Sequence, residues 1–300
     1  ALPISMSLAE SGDSTGQVSL AALFRGEFAR ATVPGDAASL AAVACRGGWP
    51  ETLDLSPSQS LLTAREYLNL LFSESVPRHG RDGDLARRIA FSLARNLGQA
   101  ATYKTLLADI SGGDEPLTTT ATVASYLELL KNMYVVEEVP GWVPARRSPK
   151  RLSVKPKRYL ADPSLAVALL GMNEEALLDD WQTFGLVFEN MCVRDLMVYA
   201  QALPDAPAVP VRYYRDDAGL EADAIVELPD GRWAAFEFKL GIAKADAGVA
   251  TLKRVREKVT RNPHARTRPP EFAAVLTGTG EYAYQAEEGI YVIPLRALGA

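Results

Sequence analysis

The 300-residue chain reads as an α/β protein, α+β overall, with a helical region leading into a domain built on a mixed sheet. Three observations predict this. Helix-period apolar stripes fill most of residues 37–134. Strand-like runs with period-two alternation cluster after residue 210. A loop marked by Pro204, Pro207 and Pro210 separates the last long helix, 183–200, from those strands. The length suits two or three domains, and a hydrophobic content of 48 % is enough to bury a sizeable core.

In chain order, residues 37–46 are Ala-rich and read as a helix ending at Gly47-Gly48. Residues 61–72 are a second helix, with Leu62, Tyr67 and Leu70 among its apolar positions. Leu85, Ile89, Leu93 and Leu97 recur every four residues, one face of a helix that Gly98 stops. A short helix over 103–110 comes next. Thr118 to Thr120 then offer cap hydroxyls to a helix whose stripe is Val123, Leu127, Leu130 and Tyr134. Residues 134–139 are strand-like, and 158–161 read as their partner. Three helices and then a strand pair is the order of a winged helix-turn-helix. The expected division is therefore 1–80 helical, 81–162 winged-helix-like and 163–300 for the sheet domain, with Asp162-Pro163 at the last junction.

Between the two wing strands, residues 146–158 hold no acid but carry Arg146, Arg147, Lys150, Arg151, Lys155, Lys157 and Arg158. Arg146, Arg147, Lys150 and Arg151 are the candidate nucleic-acid contacts, because Lys and Arg displace counterions from phosphates. A solvated loop is the alternative. A net charge of −5 argues against a nucleic-acid coat protein while leaving room for such a local patch. A late helix over 245–259 bears Lys253, Arg254, Arg256 and Lys258, followed by Arg261. Those charges either flank a DNA path or form a solvated face. With only Cys45 and Cys192, no disulfide framework is built, and a reducing cytoplasm is expected. No apolar run approaches the ~18 residues of a membrane span, and no signal peptide opens the chain, so no membrane partner is expected. His79 and His264 are isolated and support neither a His metal site nor a Ser-His triad.

The residues that carry chemistry lie on a hairpin over 221–239. Pro229-Asp230-Gly231 is a turn by composition. If Leu228 pairs with Arg232, one face of the hairpin holds Ala222, Ala224, Val226, Phe238, Phe236 and Ala234. The other then holds Glu221, Asp223, Ile225 and Glu227 opposite Lys239, Glu237, Ala235 and Trp233. A one-residue slip would mix the faces, so the pattern fixes the register. It places Asp223 across from Glu237, an arrangement that destabilises a plain sheet by up to about 1 kcal/mol. A divalent cation between them, Mg²⁺ or Mn²⁺ for hard oxygen ligands, would remove that cost. Lys239, on the same side, could orient a water or stabilise charge on a phosphate. The bland alternative is a Glu221–Lys239 ion pair on a wet sheet face. Upstream, Glu189 falls inside an apolar helical stripe of Gly185, Cys192, Val193, Leu196 and Ala200. It needs a partner or a cation there, unless it sits at the edge of the stripe and reaches solvent.

Glu189 on a helix, Asp223 on a strand and Glu237-Phe238-Lys239 on the next strand resemble the PD-(D/E)xK nuclease pattern. More narrowly, the run from Gly185 to Asn190 and the run from Tyr213 to Lys239 resemble the C-terminal domain of prokaryotic AAA+ family ATPases of poorly known function. "MSLAESGDSTGQVSL", "GGWPE", 118–139 and "KRYLADPSLAVALLG" extend the resemblance over most of the chain. The resemblance implies a restriction-endonuclease-like fold, DNA as partner, Glu189, Asp223 and Glu237 as metal ligands, and Lys239 as a catalytic cation. Two departures stand out. Ala222 replaces the proline of the superfamily name, and no G-x-x-x-x-G-K-[ST] exists here to cradle a triphosphate. The resemblance therefore implies the C-terminal portion of a longer ATPase. ATP binding, and any homo-oligomer, would belong to the missing N-terminal domain, and residues 1–80 would continue from its core. The expected function is nucleic-acid processing with Mg²⁺-dependent phosphodiester cleavage. A catalytically silent domain that binds DNA or protein for the ATPase is the alternative.

Overall fold

The computed structural model describes residues 5–112, 115–261 and 267–300; His264 lies outside them. Two compact units share the chain, and they interleave along it. The first comprises Ala41–Glu138 and Lys157–Asn190, with Ser5. The second comprises Met6–Leu40, Val139–Pro156 and Met191–Ala300. No helix among the described residues is long and apolar enough to cross a membrane.

The N-terminal segment supplies β1 (Val18–Ser19), α1 (Leu20–Phe24) and β2 (Ala31–Thr32) to the second unit. Ser19 caps α1 by accepting from the Ala22 N–H. The chain passes into the first unit along α2 (Ala37–Arg46).

The first unit is helical. In α3 (Pro57–Leu70), Ser56 and Gln59 form a capping box and Pro57 opens the helix. A π-turn over Leu71–Ser75 and the short α4 (Val76–Arg78) continue it. The buried face of α3 is Ser60, Leu61, Ala64 and Leu68. Leu62 and Leu70, two of the apolar positions of this helix, are 51 % and 56 % exposed. Next come α5 (Gly83–Arg95), α6 (Tyr103–Ser111) and α7 (Thr120–Asn132), capped by Asp82, Thr102 and Thr119. They pack on one another through Ile89 and Leu93, Leu106 and Ile110, and Val123 and Leu127. After α7, Tyr134 adopts φ +56°, a left-handed turn and not the last step of the helical stripe. Then β3 (Val136–Val139) pairs with β4 (Lys157–Leu160), which completes the helix–helix–helix–strand–strand order. The loop joining these strands carries α8 (Lys150–Ser153) and belongs to the second unit. Asp162 is the N-cap of α9 (Pro163–Leu169), and α10 (Glu174–Asp179) follows. The long helix α11 (Trp181–Gln201) gives its first half, through Asn190, to this unit and the rest to the second.

The second unit is built on a seven-stranded mixed sheet. Its strands are β2, β5 (Arg212–Arg215), β6 (Glu221–Glu227), β7 (Trp233–Lys239), β8 (Phe272–Thr277), β9 (Tyr282–Glu287) and β10 (Ile290–Pro294). The spatial order is β2-β9-β10-β8-β7-β6-β5. Strands β7, β8 and β10 run parallel, and the remaining pairings are antiparallel. The crossover from β7 to β8 runs through α12 (Ala245–Thr260), whose Val249, Leu252, Val255 and Val259 bury against Ile225, Trp233, Ala235 and Val275. On the opposite face, Phe24 of α1 meets Phe272 edge-on, with ring centroids 5.2 Å apart, and Phe236 meets the same ring at 5.7 Å. The last strand, β11 (Leu298–Gly299), pairs in parallel with β1.

Candidate functional site

The β6–β7 hairpin closes as its composition dictates. Leu228 N–H donates to the Arg232 carbonyl at 2.8 Å, Gly231 takes φ +95°, and the Asp230 carboxylate accepts from the Arg232 N–H. The register is the expected one, with Ala224 opposite Phe236, Ile225 opposite Ala235, Val226 opposite Ala234 and Glu227 opposite Trp233. One step further on, the side chain of Asp223 intervenes. Its Oδ2 accepts from the Phe238 N–H at 2.8 Å, a donor that strand pairing would give to a carbonyl. On its other edge, β6 shifts register against β5 between Arg212 and Tyr214.

The acid-bearing face is not a wet one. Ile225, Trp233 and Ala235 share it, and α12 covers them. Gly248 of α12 passes so close that a Cβ there would lie 3.6 Å from Glu237 Cβ and 2.9–3.0 Å from the Val275 methyls. Glu237 is thus buried, and its side chain is 6 % exposed, against 17 % for Asp223 and 24 % for Lys239. Burial, reinforced by the neighbouring Asp223 charge, pushes the Glu237 carboxyl up to about 8, while Lys239 pulls against the shift. The Lys239 ammonium donates to Glu237 Oε2 at 2.6 Å and stands 4.0 Å from Asp223 Oδ2. Glu221 reaches Arg215 at 3.8 Å.

A third oxygen belongs to this neighbourhood, and the sequence reading missed it. Thr277 is the register partner of Lys239, as Val275 is of Glu237, so its side chain shares the face of the two carboxylates. Its hydroxyl is fully buried and has no hydrogen-bond partner among the described residues. The signal was there to find: β8 is apolar except for the hydroxyl at its C-terminal end.

Glu189 falls in the first unit. Its Oε1 accepts from the Tyr159 hydroxyl at 2.5 Å and from Lys157 Nζ at 3.3 Å. Gly98, with φ +70°, leaves room for this carboxylate, since a Cβ there would sit 2.7 Å from Oε1. The partner that a carboxylate on an apolar helix face requires is therefore partly supplied by Lys157, a residue first read as part of the wing. Among the described residues, no group of three or more His, Cys, Asp or Glu side chains could hold a metal ion.

The basic loop turns partly inward, and Arg146, Arg147, Lys150 and Lys155 stay exposed. Arg146 donates to Glu227 Oε1 at 3.2 Å and to the Leu228 and Pro229 carbonyls at 2.9 and 3.1 Å. Arg151 binds both Glu227 oxygens at 3.1 and 3.2 Å and the Val143 carbonyl at 2.8 Å. Lys150 stands 3.7 Å from Asp217, and Arg147 is exposed. Two of the four candidate phosphate contacts thus brace the hairpin turn. Along α12, Lys253 pairs with Glu287, Lys258 with Asp216 and Arg261 with Glu257, while Arg254 is exposed.

Two families match this chain. Residues 184–298 match a domain of unknown function, DUF4143. That domain is often found at the C-terminus of AAA-type ATPases. Its match spans Glu189, Asp223, Glu237 and Lys239. Residues 37–176 match a second domain of unknown function, DUF8612. Neither description names an activity. No curated protein and no solved structure matches the chain.

Proposed function

We propose that the chain is the nucleic-acid-processing portion of an AAA-type ATPase, and that its hairpin cleaves phosphodiesters with a divalent cation. The observation that carries this reading is the pair Asp223 and Glu237 brought together around one ammonium, with Glu237 buried and its proton affinity raised. A structural sheet gains nothing from two carboxylates there. Lys239 occupies, in effect, the place of a cation.

The residues fit a Mg²⁺ or Mn²⁺ ion, which takes one or two carboxylates and leaves its other positions to water and substrate oxygens. Bound there, the ion would lower the pKa of a coordinated water and offset charge on the scissile phosphate. Asp223 and Glu237 would hold it. The Thr277 hydroxyl offers a further hydrogen bond beside them. Lys239, released from Glu237, would stabilise charge on the attacked phosphate. Glu189 enters through the family resemblance, and its own bonds include those to Lys157 and Tyr159.

The test is DNA cleavage in Mg²⁺ or Mn²⁺ by wild type, Asp223→Ala, Glu237→Ala and Lys239→Ala. Each substitution should lower the rate by about 10²-fold or more, the scale of losing a charge-stabilising group. A second reading, a catalytically silent module that binds nucleic acid, is favoured by the 2.6 Å Lys239–Glu237 contact, which satisfies the site without a metal. Equal cleavage by all four proteins, or none with either metal, would sink the nuclease reading in favour of that one.

A further inference from the structure

A second site lies wholly in the first unit. Between α3, α5, α6 and α9 opens a cavity of about 400 Å³, within the range of small-molecule sites. Its walls carry four arginines, Arg65, Arg87, Arg88 and Arg95, around a single carboxylate, Asp109. The arrangement follows from the periodicity of α5. Its inner face is Ala86, Ile89, Ala90, Leu93 and Ala94. The outer face therefore presents Arg87, Arg88, Phe91 and Arg95 at spacings of three and four, beside Arg65 of α3.

These four cations have one carboxylate among them, and it pairs with Arg95. Asp109 Oδ2 already accepts from Ser92 and Asn96, and Arg95 stands 3.8 Å from its other oxygen. Arg87 donates to the neutral Asn69 amide at 3.1 Å and stacks 4.9 Å from the Phe72 ring. Among the described residues, Arg65 reaches only the Met172 carbonyl, at 3.4 Å. Arg88 makes no hydrogen bond or ion pair among the described residues. Phe91 is 42 % exposed in the midst of them, while Leu68 and Ile110 form an apolar floor. Clustered guanidiniums seek a phosphate, which they bind by charge-assisted, forked hydrogen bonds. An exposed phenyl ring over an apolar floor seeks a flat, weakly polar ring. One ligand class has both parts.

We infer that this cavity binds a nucleotide unit, its phosphate held by the arginines and its base laid against Phe91. The unit is either a free nucleotide or one residue of a single strand. The site is separate from the hairpin and does not depend on the nuclease reading.

Calorimetric titration of the full chain at low salt with AMP, with a 5′-phosphorylated oligo-dT of eight residues, and with inorganic phosphate tests this. AMP or the oligonucleotide should bind saturably and more tightly than phosphate. Arg88→Gln should weaken binding about tenfold, the loss of one charged hydrogen bond. Phe91→Ala should weaken nucleotide binding to a similar degree, the loss of one stacking contact, and leave phosphate binding unchanged. Glu237→Gln should have no effect. Both pocket side chains are exposed, and an unchanged thermal midpoint would confirm that the variants fold. Binding of AMP alone identifies a free nucleotide, and binding of the oligonucleotide alone identifies a strand. The inference is overturned if neither probe binds, if phosphate binds as tightly as AMP, or if Arg88→Gln and Phe91→Ala bind like wild type.

Discussion

Glu237 is buried enough that its ionised form is disfavoured when no metal is bound. A carboxyl whose folded value is raised to about 8, from an ordinary value of 4.5, binds a proton more tightly in the folded state than in the unfolded one. The metal-free protein should therefore lose stability as pH climbs from about 5 through 8. Glu237→Gln removes that slope while keeping the shape of the side chain. Thermal midpoints in chelator at pH 6 and pH 8 should converge in the variant and separate in wild type; parallel behaviour of the two proteins would contradict the assignment. The Arg151–Glu227 contact makes the opposite point. Both side chains are largely buried, at 16 % and 12 % exposure, and their bond is bidentate. Arg151→Ala leaves Glu227 with one fewer partner and should cost about 1–3 kcal/mol in a denaturant titration. Arg147→Ala, at an exposed position, should cost less than about 0.5 kcal/mol. If the two variants were equally stable, the bracing role of Arg151 would be wrong.

At the scale of elements, α12 decides what the hairpin face is. Gly248 lets the helix lie against Glu237 and Val275. Gly248→Ala would gain up to about 1 kcal/mol in helix propensity, yet it must push a methyl into two Val275 methyls that cannot rotate clear, an overpacking cost of about 1–3 kcal/mol. The expected result is a net loss of stability, seen as a lower denaturation midpoint. A stabilised variant would show that α12 is loosely seated. The hairpin register was legible because its turn and its alternation agree, and both are local. Its cover was not. Ile225, Trp233 and Ala235 already stood on the acid face in the sequence, but three apolar residues there do not name the helix above them. The inner face of α3, through Leu61, Ala64 and Leu68, is not legible in the sequence because Leu61 and Leu62 are adjacent and a short apolar set fits two helical phases. Helices α9 and α10 are too short for periodicity to register, although Asp162-Pro163 supplied the cap signal that starts the first of them. The charges of the basic loop were legible and their destination was not, because Glu227 lies some 80 residues from Arg146.

For the whole molecule, connectivity matters as much as composition. The chain passes between the two units several times, and α11 belongs to both. Neither unit is a continuous segment that could melt while the other keeps its ends in place. Calorimetric unfolding should accordingly show one transition, with calorimetric and van't Hoff enthalpies in agreement. Two resolved transitions would mean that the units unfold independently.

The covering of both sheet faces near the hairpin also dictates how anything reaches it. Asp223 lies near the start of β6, while Lys239 and Thr277 close β7 and β8, so the three groups gather at one end of the strands. On the nuclease reading proposed above, a polymer would meet this site at the strand ends and not flat across the sheet. The same reading predicts that a frayed or single-stranded end is cleaved in preference to the middle of a stiff duplex, and equal cleavage of the two substrates would count against it.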